Sequence, residues 1–258
     1  KPKSRLNEVL AFLKNPLTDL CISRPKSRLS WGIEIPFDKD YITYVWFDAL
    51  LNYITAIGWG TNTKKFNTWW PANYHFMAKD ILTTHAVYWP TMLMAAKIPL
   101  PTTIFSHGWW LMEESKMSKS LGNVINPIEL IDDYGVDPIR YYLMRDMVLG
   151  MDANFTLNSF IKRYNSDLAN DYGNLVNRVT MLINKYFEGK IPENGKYNNI
   201  DLELISLAKS IPLTVKKLID EMKIHDAIET TLSLIRKVNA YLEIKAPWKS
   251  IKDDSSDE

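Results

Sequence analysis

The sequence predicts an α/β region followed by an all-α region, and three observations support this prediction. Segments rich in β-branched and aromatic residues alternate with segments of helical periodicity as far as His107. Nearly everything from Thr156 onward has the spacing of long amphipathic helices. The length of 258 residues and the apolar share of 46% are sufficient to fill two hydrophobic cores.

The first region contains three predicted strands. They are residues 41–48 (YITYVWFD), 72–78 (ANYHFMA) and 102–107 (TTIFSH), and the helical segments DALLNYITAIG and KDILTTHAVYWPTMLMAAK follow the first two. Strands that alternate with helices favour a parallel sheet, because a helical crossover returns the chain to the end where the strand began.

A loop around Lys116 and two short helices are predicted after the third strand. Asn126-Pro127 and Asp137-Pro138 each place a capping side chain before a proline, which is typical of a helix start. Gly135 is expected to end the first of these helices.

The last hundred residues predict a helical bundle, because two of the helices carry continuous apolar stripes. A turn is expected between them at EGKIPENGKYNN. The stripes are Leu175, Val179, Leu182 and Tyr186 in one helix, and Ile224, Ile228, Leu232, Ile235 and Leu242 in the other.

Composition excludes several classes of protein. The net charge of +1 gives no indication of a nucleic-acid partner. The single Cys21 can form neither an internal disulfide nor a cysteine zinc site within this chain, so a reducing, cytoplasmic compartment is expected. No apolar run approaches the ~20 residues of a membrane helix, and no signal peptide opens the sequence. The opening Lys-Pro-Lys-Ser, without an initiator Met, is interpreted as the middle of a longer polypeptide.

The string Lys116-Met117-Ser118-Lys119-Ser120 follows a strand and precedes a capped helix, where α/β domains place ligand-binding loops. Two lysines on such a loop can neutralise the charge that grows on a leaving pyrophosphate. A Lys-x-x-Lys pair alone is more typical of a solvated turn. The full pentapeptide is far more specific, since it is expected by chance in about one chain in ten thousand of this length.

Two junctions between strand and helix carry a candidate pocket for an amino-acid side chain. Trp46, Ala49 and Tyr53 share one face of the first junction, and His85 follows Ile81 by one helical turn in the second. Aromatic walls suit a soft, unbranched thioether, because sulfur makes favourable contacts at ring edges. Without further support, an aromatic pair and a histidine at this spacing are also typical of an ordinary core.

A polar line and a terminal tryptophan mark a candidate RNA-binding surface on the helical region. Asn170, Asn174 and Arg178 recur at four-residue steps, away from the apolar stripe. Amides and a guanidinium can hydrogen-bond the edges of unstacked bases, and Trp248 can stack on one. Solvent-facing Asn and Arg, and a Trp that closes a bundle core, are the plainer interpretation of the same residues.

The strings VWFDA..NY, KDI...H...WP, KMSKS, NLVNR and KAPW together resemble the methionyl-tRNA synthetase family of class I aminoacyl-tRNA synthetases. The resemblance extends from Ser23 to Trp248 and implies ATP-dependent activation of L-methionine followed by transfer to tRNA(Met). ATP is expected to bind as its Mg²⁺ complex. It also implies the following roles: catalysis by Lys116 and Lys119; methionine binding by Trp46, Ala49, Tyr53, Ile81 and His85; ATP binding by Asp80, Gly108, Trp110, Lys116, Ser118 and Lys119; and anticodon binding by Asn170, Asn174, Arg178 and Trp248.

The resemblance also implies a domain order. Residues 1–22 are expected to end a connective insert, 23–106 to form the second half of a Rossmann-type nucleotide-binding domain, 107–153 to form the subdomain of the KMSKS loop, and 154–258 to form the anticodon-binding helical bundle. No His-Ile-Gly-His-type motif precedes the loop. The N-terminal half of the enzyme is therefore expected as a partner, without which this chain should be inactive, and no zinc site is expected in it.

Three positions depart from the family pattern: Ala78 stands at a usual Gly, Thr84 at a usual aromatic residue and Leu50 at a frequent Pro. Two alternatives stay open at this point. One is another class I synthetase, for leucine, isoleucine, valine or cysteine, although such an enzyme would not need Trp46, Tyr53 and His85 together. The other is a non-catalytic tRNA-binding module derived from a synthetase.

Overall fold

The computed structural model describes residues 1–112, 115–117 and 124–249, and the chain divides into two compact units, Lys1–Trp109 and the remainder from Trp110. The first unit has a mixed α/β composition. Its elements are α1 (Lys3–Leu13), β1 (Ser23–Pro25), β2 (Glu34–Ile35), β3 (Asp38–Thr43), α2 (Val45–Thr55), α3 (Thr63–Trp69), β4 (Tyr74–Ala78), α4 (Trp89–Ala95) and β5 (Thr103–His107).

The first predicted strand is wrong over its second half. Strand β3 ends at Thr43, and α2 already begins at Val45, so Trp46 lies in the first turn of a helix. Tyr44 has extended backbone and makes the transition between the two. The apolar residues of α2 recur with helical spacing, which places Leu50 and Ile54 in the core, and this burial outweighs the strand propensity of Val45 and Trp46.

The parallel pairing predicted for this region is confirmed for only two of its strands. Strands β4 and β5 are parallel, with His75 opposite Ile104 and Ala78 opposite His107. Strand β3 instead belongs to a separate antiparallel sheet of order β1-β3-β2. The expectation that it joins the parallel sheet was therefore wrong.

The helical segment after β4 is confirmed, but it is not a uniform α-helix. A 3₁₀ turn at Lys79–Ile81 leads into a π-helical stretch at Thr84–Tyr88 and then into α4. Helices α2, α3 and α4 contribute to a shared apolar core. Its buried members are Leu50, Ile54, Trp70, Trp89, Leu93 and Ile98.

The second unit opens with a small sheet and continues as helices. Strand order is β7-β6-β8, in which β6 pairs antiparallel with β7 and parallel with β8. A π-helical segment, Tyr164–Gly173, separates α7 from α8. The elements are β6 (Trp110–Met112), β7 (Ser115–Lys116), α5 (Pro127–Tyr134), α6 (Val136–Asp146), β8 (Ala153–Phe155), α7 (Leu157–Arg163), α8 (Asn174–Phe187), α9 (Asn199–Asp220) and α10 (Ile224–Lys245).

Helix starts in the second unit follow the sequence in one case and depart from it in another. The Asn126 side chain accepts a hydrogen bond from the Ile128 amide, as predicted for the N-cap of α5. Gly135, at a φ of 84°, ends α5 and also stands at the N-cap of α6. Asp137 therefore lies inside the first turn of α6, and its predicted capping role was wrong. Lys116, expected in a loop, lies in the two-residue strand β7.

The predicted long helices and the turn between them are confirmed. Leu232 is buried in α10, whereas the stripe residues of α8 (Leu175, Val179, Leu182 and Tyr186) are only half-buried. Helices α9 and α10 are further joined where Asp201, near the start of α9, accepts hydrogen bonds from Tyr241 at 2.8 Å and Lys245 at 2.6 Å.

Within the described ranges, none of the helices has both the length and the apolar character that crossing a membrane requires.

Candidate functional site

Three of the predicted pocket residues converge in the first unit. The ring of His85 lies 6.0 Å from that of Trp46 and 5.7 Å from that of Tyr53, and both contacts are edge-on. Helix α2 supplies Trp46 and Tyr53, two turns apart on one face, and the π-helical stretch supplies His85. His85 is buried, at 1% exposure, whereas Tyr53 keeps 37% of its surface exposed. The three rings therefore form an aromatic wall, in which Tyr53 is the solvent-exposed member.

Hydrogen bonds fix the proton positions on His85. Its Nδ1 lies 2.9 Å from the Ile81 carbonyl, which can only accept, so Nδ1 carries the proton and donates. Nε2 is then an acceptor, and Tyr53 Oη donates to it at 2.9 Å. Burial lowers the pKa of His85, which favours the same neutral form. The pair therefore presents a fixed, uncharged aromatic surface.

A second histidine, His75, lies behind this wall. Its ring is 4.4 Å from the ring of Tyr53, and its Nε2 accepts a hydrogen bond from Trp89 Nε1 at 3.4 Å. Burial, with a smaller contribution from His85, lowers the pKa of His75 to about 4. His75 is therefore neutral near pH 7. Sequence reasoning missed it, although a histidine on the buried face of a strand, two residues before Met77, signals a polar partner in the core.

Three other residues predicted for small-molecule binding in this unit come from two elements: Ala49 from α2, and Asp80 and Ile81 from the 3₁₀ turn after β4. Ala49 and Asp80 are exposed, and Ile81 is half-buried. Asp80 Oδ1 accepts a hydrogen bond from Trp109 Nε1 at 3.4 Å, and Lys79 Nζ lies 4.2 Å above the Trp109 ring. Trp109 was not predicted, and it is a further neighbour of the Asp80 carboxylate.

Two of the three departures from the family pattern meet in one cavity. Leu50 and Thr84 both line an apolar hollow of about 230 Å³, together with Trp46. Trp46 is therefore shared by the aromatic wall and this hollow. The short Thr84 side chain leaves open space where an aromatic ring would occupy volume.

The remaining residues predicted for ATP are divided between the two units. Gly108 is buried in the first. Trp110 opens the second, and its ring packs 5.9 Å from that of Tyr142 and 6.4 Å from that of Phe155. Ser118, Lys119 and the side chain of Lys116 lie outside the described residues, so the catalytic role of the two lysines stays a prediction.

The predicted RNA-binding residues are placed by the π-helical segment Tyr164–Gly173, by α8 and by the residues after α10. The guanidinium of Arg178 lies 5.4 Å from the Trp248 ring and pairs with Glu243 at 2.5 Å. Asn170 and Asn174 are exposed. Arg178 and Trp248 also border an open groove of about 680 Å³, whose other lining residues are Met181, Leu182, Asn184, Lys185 and Tyr186. Glu243 forms an ion pair with the guanidinium of Arg178, and the sequence had not indicated this partner.

A buried ionic network holds α6, the π-helical segment and α10 together in the second unit. Asp167, 2% exposed, accepts hydrogen bonds from Tyr141 at 2.8 Å and from Arg145 at 3.3 Å. Arg145, 4% exposed, also pairs with Glu229 and contacts His225. The network therefore joins three helical segments at one point.

In residues 1–112, 115–117 and 124–249, no group of three or more His, Cys, Asp or Glu side chains is arranged to hold a metal ion.

Comparison with known families decides which family this is. The model of the family described as "tRNA synthetases class I (M)" matches residues 1–180. The chain belongs to the methionyl-tRNA synthetase family. A curated methionine--tRNA ligase from Clostridium acetobutylicum is 48% identical over 99% of this chain and 40% of its own length. One from Bacillus subtilis is 43% identical over the whole chain and 39% of its own length.

Solved structures agree with the family and with the broad fold. The Mycobacterium tuberculosis methionyl-tRNA synthetase in complex with methionyl-adenylate superposes with a TM-score of 0.88 at 38% identity, covering 96% of this chain and 48% of that one. The methionyl-tRNA synthetase architecture of a mixed α/β region followed by a helical region is therefore confirmed. The chain spans about 40% of the length of the curated relatives it matches.

Proposed function

We propose that this chain is part of a methionine--tRNA ligase, which uses ATP with Mg²⁺ to form methionyl-adenylate and transfers methionine to tRNA(Met). The observation that carries the proposal is the junction of Trp46, Tyr53 and His85, joined by the 2.9 Å hydrogen bond from Tyr53 to His85, in a chain of this family. An uncharged ring surface with fixed protons suits a thioether and disfavours a charged side chain, which would lose its hydration there.

The methionine side chain is proposed to lie against Trp46, Tyr53 and His85, with Ala49 and Ile81 completing the contact surface. Ala49 and Tyr53 are exposed, so this face of the cluster is accessible to a ligand. Discrimination against isosteric apolar side chains is expected to be modest, because one methylene in an apolar pocket changes binding by only about 1–3 kcal/mol.

Lys116 and Lys119 are proposed to act on ATP. A pair of cations on a loop stabilises the pentavalent phosphorus transition state and the departing pyrophosphate more than the ground state, and so raises the rate of adenylate formation. Ser118 would donate to a phosphate oxygen. Asp80 is proposed to accept hydrogen bonds from the ribose hydroxyls, and the backbone near Gly108 and Trp110 is proposed to hold the adenine.

The helical region is proposed to read the anticodon of tRNA(Met). Trp248 offers a ring face for base stacking, and Arg178 lies beside it at 5.4 Å, where a guanidinium can reach the edge of a stacked base. Asn170 and Asn174 add amide donors and acceptors on the exposed side. When RNA binds, Arg178 must give up its ion pair with Glu243. The loss of binding free energy is small, because exposed ion pairs contribute little.

The rest of the polypeptide is proposed to be necessary for activity, because the chain covers about 40% of its relatives' length. We propose that residues 23–106 form the later half of a Rossmann-type domain and that the N-terminal half supplies its first strands and half of the ATP site. Residues 1–22, 107–153 and 154–258 are then the end of the connective insert, the subdomain of the lysine loop and the anticodon-binding bundle.

Replacement of Lys119 tests the catalytic assignment. In the complete enzyme, Lys119→Ala should slow methionine-dependent pyrophosphate exchange by about 10²–10³-fold and leave the Kd for methionine within about threefold, because the cation acts in the transition state. Lys119→Arg is the matched control and should retain part of the rate. An exchange rate equal to that of the unmodified enzyme would remove Lys119 from the mechanism.

Replacement of Trp248 separates an enzyme from a tRNA-binding module. Trp248→Ala should lower kcat/KM for tRNA charging by about 10–100-fold, since one stacked base contributes about 1–3 kcal/mol, while pyrophosphate exchange continues. Trp248→Phe keeps a stacking ring and should lose less. Equal loss of both activities would assign Trp248 to structure. Tight tRNA binding without any exchange by the complete protein would favour the non-catalytic module.

A further inference from the structure

We infer that His75 is a positioning residue for the methionine site: it bridges Tyr53 and Trp89 and so holds the ring that donates to His85. This inference rests on the proposed function, because it takes Tyr53 and His85 to contact methionine. His75 itself is 6% exposed and lies behind Tyr53, so a direct contact with substrate is not part of the inference.

The contacts of His75 come from three separate elements. Tyr53 of α2 lies with its ring 4.4 Å away, Trp89 of α4 donates its indole N–H at 3.4 Å, and the ring of Trp70, at the end of α3, lies 5.8 Å away. His75 is carried by β4, which pairs with β5. A single side chain on a paired strand therefore ties together three helices.

Tyr53 depends on this support because only one of its sides is enclosed. Its exposed fraction of 37% contrasts with 0% for Trp89 and 6% for Trp70. On the enclosed side His75 is the nearest ring partner, at 4.4 Å against 6.0 Å for Trp89. A small tilt of Tyr53 would move Oη away from His85 Nε2, and the hydrogen bond that orients the His85 ring would weaken.

Histidine combines two properties that this position uses. Its flat ring packs against Tyr53, and its unprotonated Nε2 accepts the buried indole N–H of Trp89, which would otherwise lack a partner. Phenylalanine offers the ring without the acceptor. Glutamine offers an acceptor at a similar reach without the ring. The neutral state that the acceptor role needs agrees with the lowered pKa of His75, about 4.

The experiment compares His75→Phe and His75→Gln in the complete enzyme, by pyrophosphate exchange. For both variants the KM for methionine should rise about tenfold, while kcat and the KM for ATP change by less than about threefold, because a misplaced wall weakens ground-state and transition-state binding alike. Met77→Leu is the matched control. Met77 lies on the same strand, is also buried and changes little in volume; the KM for methionine should stay within about twofold.

A spectroscopic measurement separates positioning from general loosening. In the enzyme with ¹⁵N-labelled histidine, His85 should show the Nδ1-protonated tautomer, because Nδ1 donates to Ile81 and Nε2 accepts from Tyr53. Both His75 variants should shift the ¹⁵N resonance of the acceptor Nε2 of His85, because the hydrogen bond that it accepts from Tyr53 weakens, and Met77→Leu should not.

Two outcomes would overturn the inference: an unchanged KM for methionine in both folded His75 variants, or an unchanged ¹⁵N resonance of His85 Nε2 in both. Tyr53→Phe distinguishes this failure from that of the proposed function. If Tyr53→Phe raises the KM for methionine and the His75 variants do not, only the role of His75 fails. If Tyr53→Phe also has no effect, the methionine site itself is misplaced.

Discussion

One buried polar cluster in each of the two units stabilises its polar groups in a way opposite to the other. In the first unit, His75 and His85 are kept neutral by burial, and each uses an unprotonated ring nitrogen as an acceptor. In the second unit, Arg145 and Asp167 are both buried and remain charged, with further partners around each. A neutral cluster can face a substrate without competing for its charge, whereas an ionic one is better suited to holding helices together.

The contrast extends to pH. Burial alone would raise the pKa of Asp167, but hydrogen bonds from Ser166 and Tyr141 and the charges of Arg163 and Arg145 outweigh it and hold the pKa below its usual value. The contribution of Asp167 to stability should therefore be fully present above the ordinary pKa of an aspartate and be lost only as the pH falls below it. The histidine cluster should begin to lose stability at a pH near 6.5, where free histidine titrates.

The largest expected effect is on the ionic network. Asp167→Ala removes the most buried partner of Arg145 and the acceptor of Tyr141, and only the half-exposed Glu229 remains paired with Arg145. The free energy of unfolding should fall by about 3–5 kcal/mol, because breaking a buried ion pair from one side is costly. Urea denaturation followed by circular dichroism measures this. Asp220→Ala is the control, since Asp220 pairs with Lys216 on the exposed surface of α9. If the two variants lose similar amounts, the network does not contribute more than a surface pair.

The second effect is the pH dependence of the histidine cluster. The folded pKa of His75, about 4, lies below its unfolded value near 6.5, so the unfolded chain binds the extra proton between these values. This contribution is fully present above pH 6.5 and is lost as the pH falls toward 4, by on the order of 3 kcal/mol. Unfolding free energies of wild type and His75→Phe, measured from pH 7.5 to 4, should differ in slope over this window. Parallel curves would contradict the assignment.

A smaller loss is expected from the hydrogen bond between Tyr53 and His85. Tyr53→Phe keeps the ring contacts with His75 but leaves Nε2 of the buried His85 without its donor. The free energy of unfolding should fall by about 1 kcal/mol, the usual net contribution of a hydrogen bond. Tyr41→Phe, at an exposed tyrosine, serves as the control. Thermal denaturation that shows equal Tm values for the two variants would mean that the bond contributes nothing.

The smallest effect belongs to the exposed pair of Arg178 and Glu243. Glu243→Gln should change the free energy of unfolding by less than about 0.5 kcal/mol, because exposed ion pairs contribute little. The same variant should bind tRNA up to about threefold more tightly, since the guanidinium of Arg178 is released from its competitor. Filter binding against Glu243→Ala and wild type measures this, and weaker binding would show that Glu243 orients Arg178 for RNA.

Much of the fold was predictable because its signals are local. Strands β4 and β5 and helices α8, α9 and α10 follow directly from residue periodicity. The start of α2 was missed for a physical reason. Val45 and Trp46 have strand propensity, and only the burial of Leu50 and Ile54 against neighbouring helices decides for a helix there.

The sequence predicted which residues belong to the candidate site, but it did not predict which contacts they make. The spacing of Trp46, Tyr53 and His85 indicated a shared surface, and the structure brings the three rings together. The alternation of His75 with Met77 in β4 indicated a buried polar residue, but it did not indicate the partners, because Trp89 and Tyr53 lie 14 and 22 residues away in the sequence.

Short-range patterns and motifs specify the family, the order of the elements and the residues of the aromatic wall, so these properties can be predicted without a structure. Contacts between distant segments instead determine which nitrogen of His85 carries its proton, that His75 packs against Tyr53, and that Glu243 pairs with Arg178. These properties depend on distances between side chains that are far apart along the chain, and hydrogen bonds and desolvation change steeply over about 1 Å.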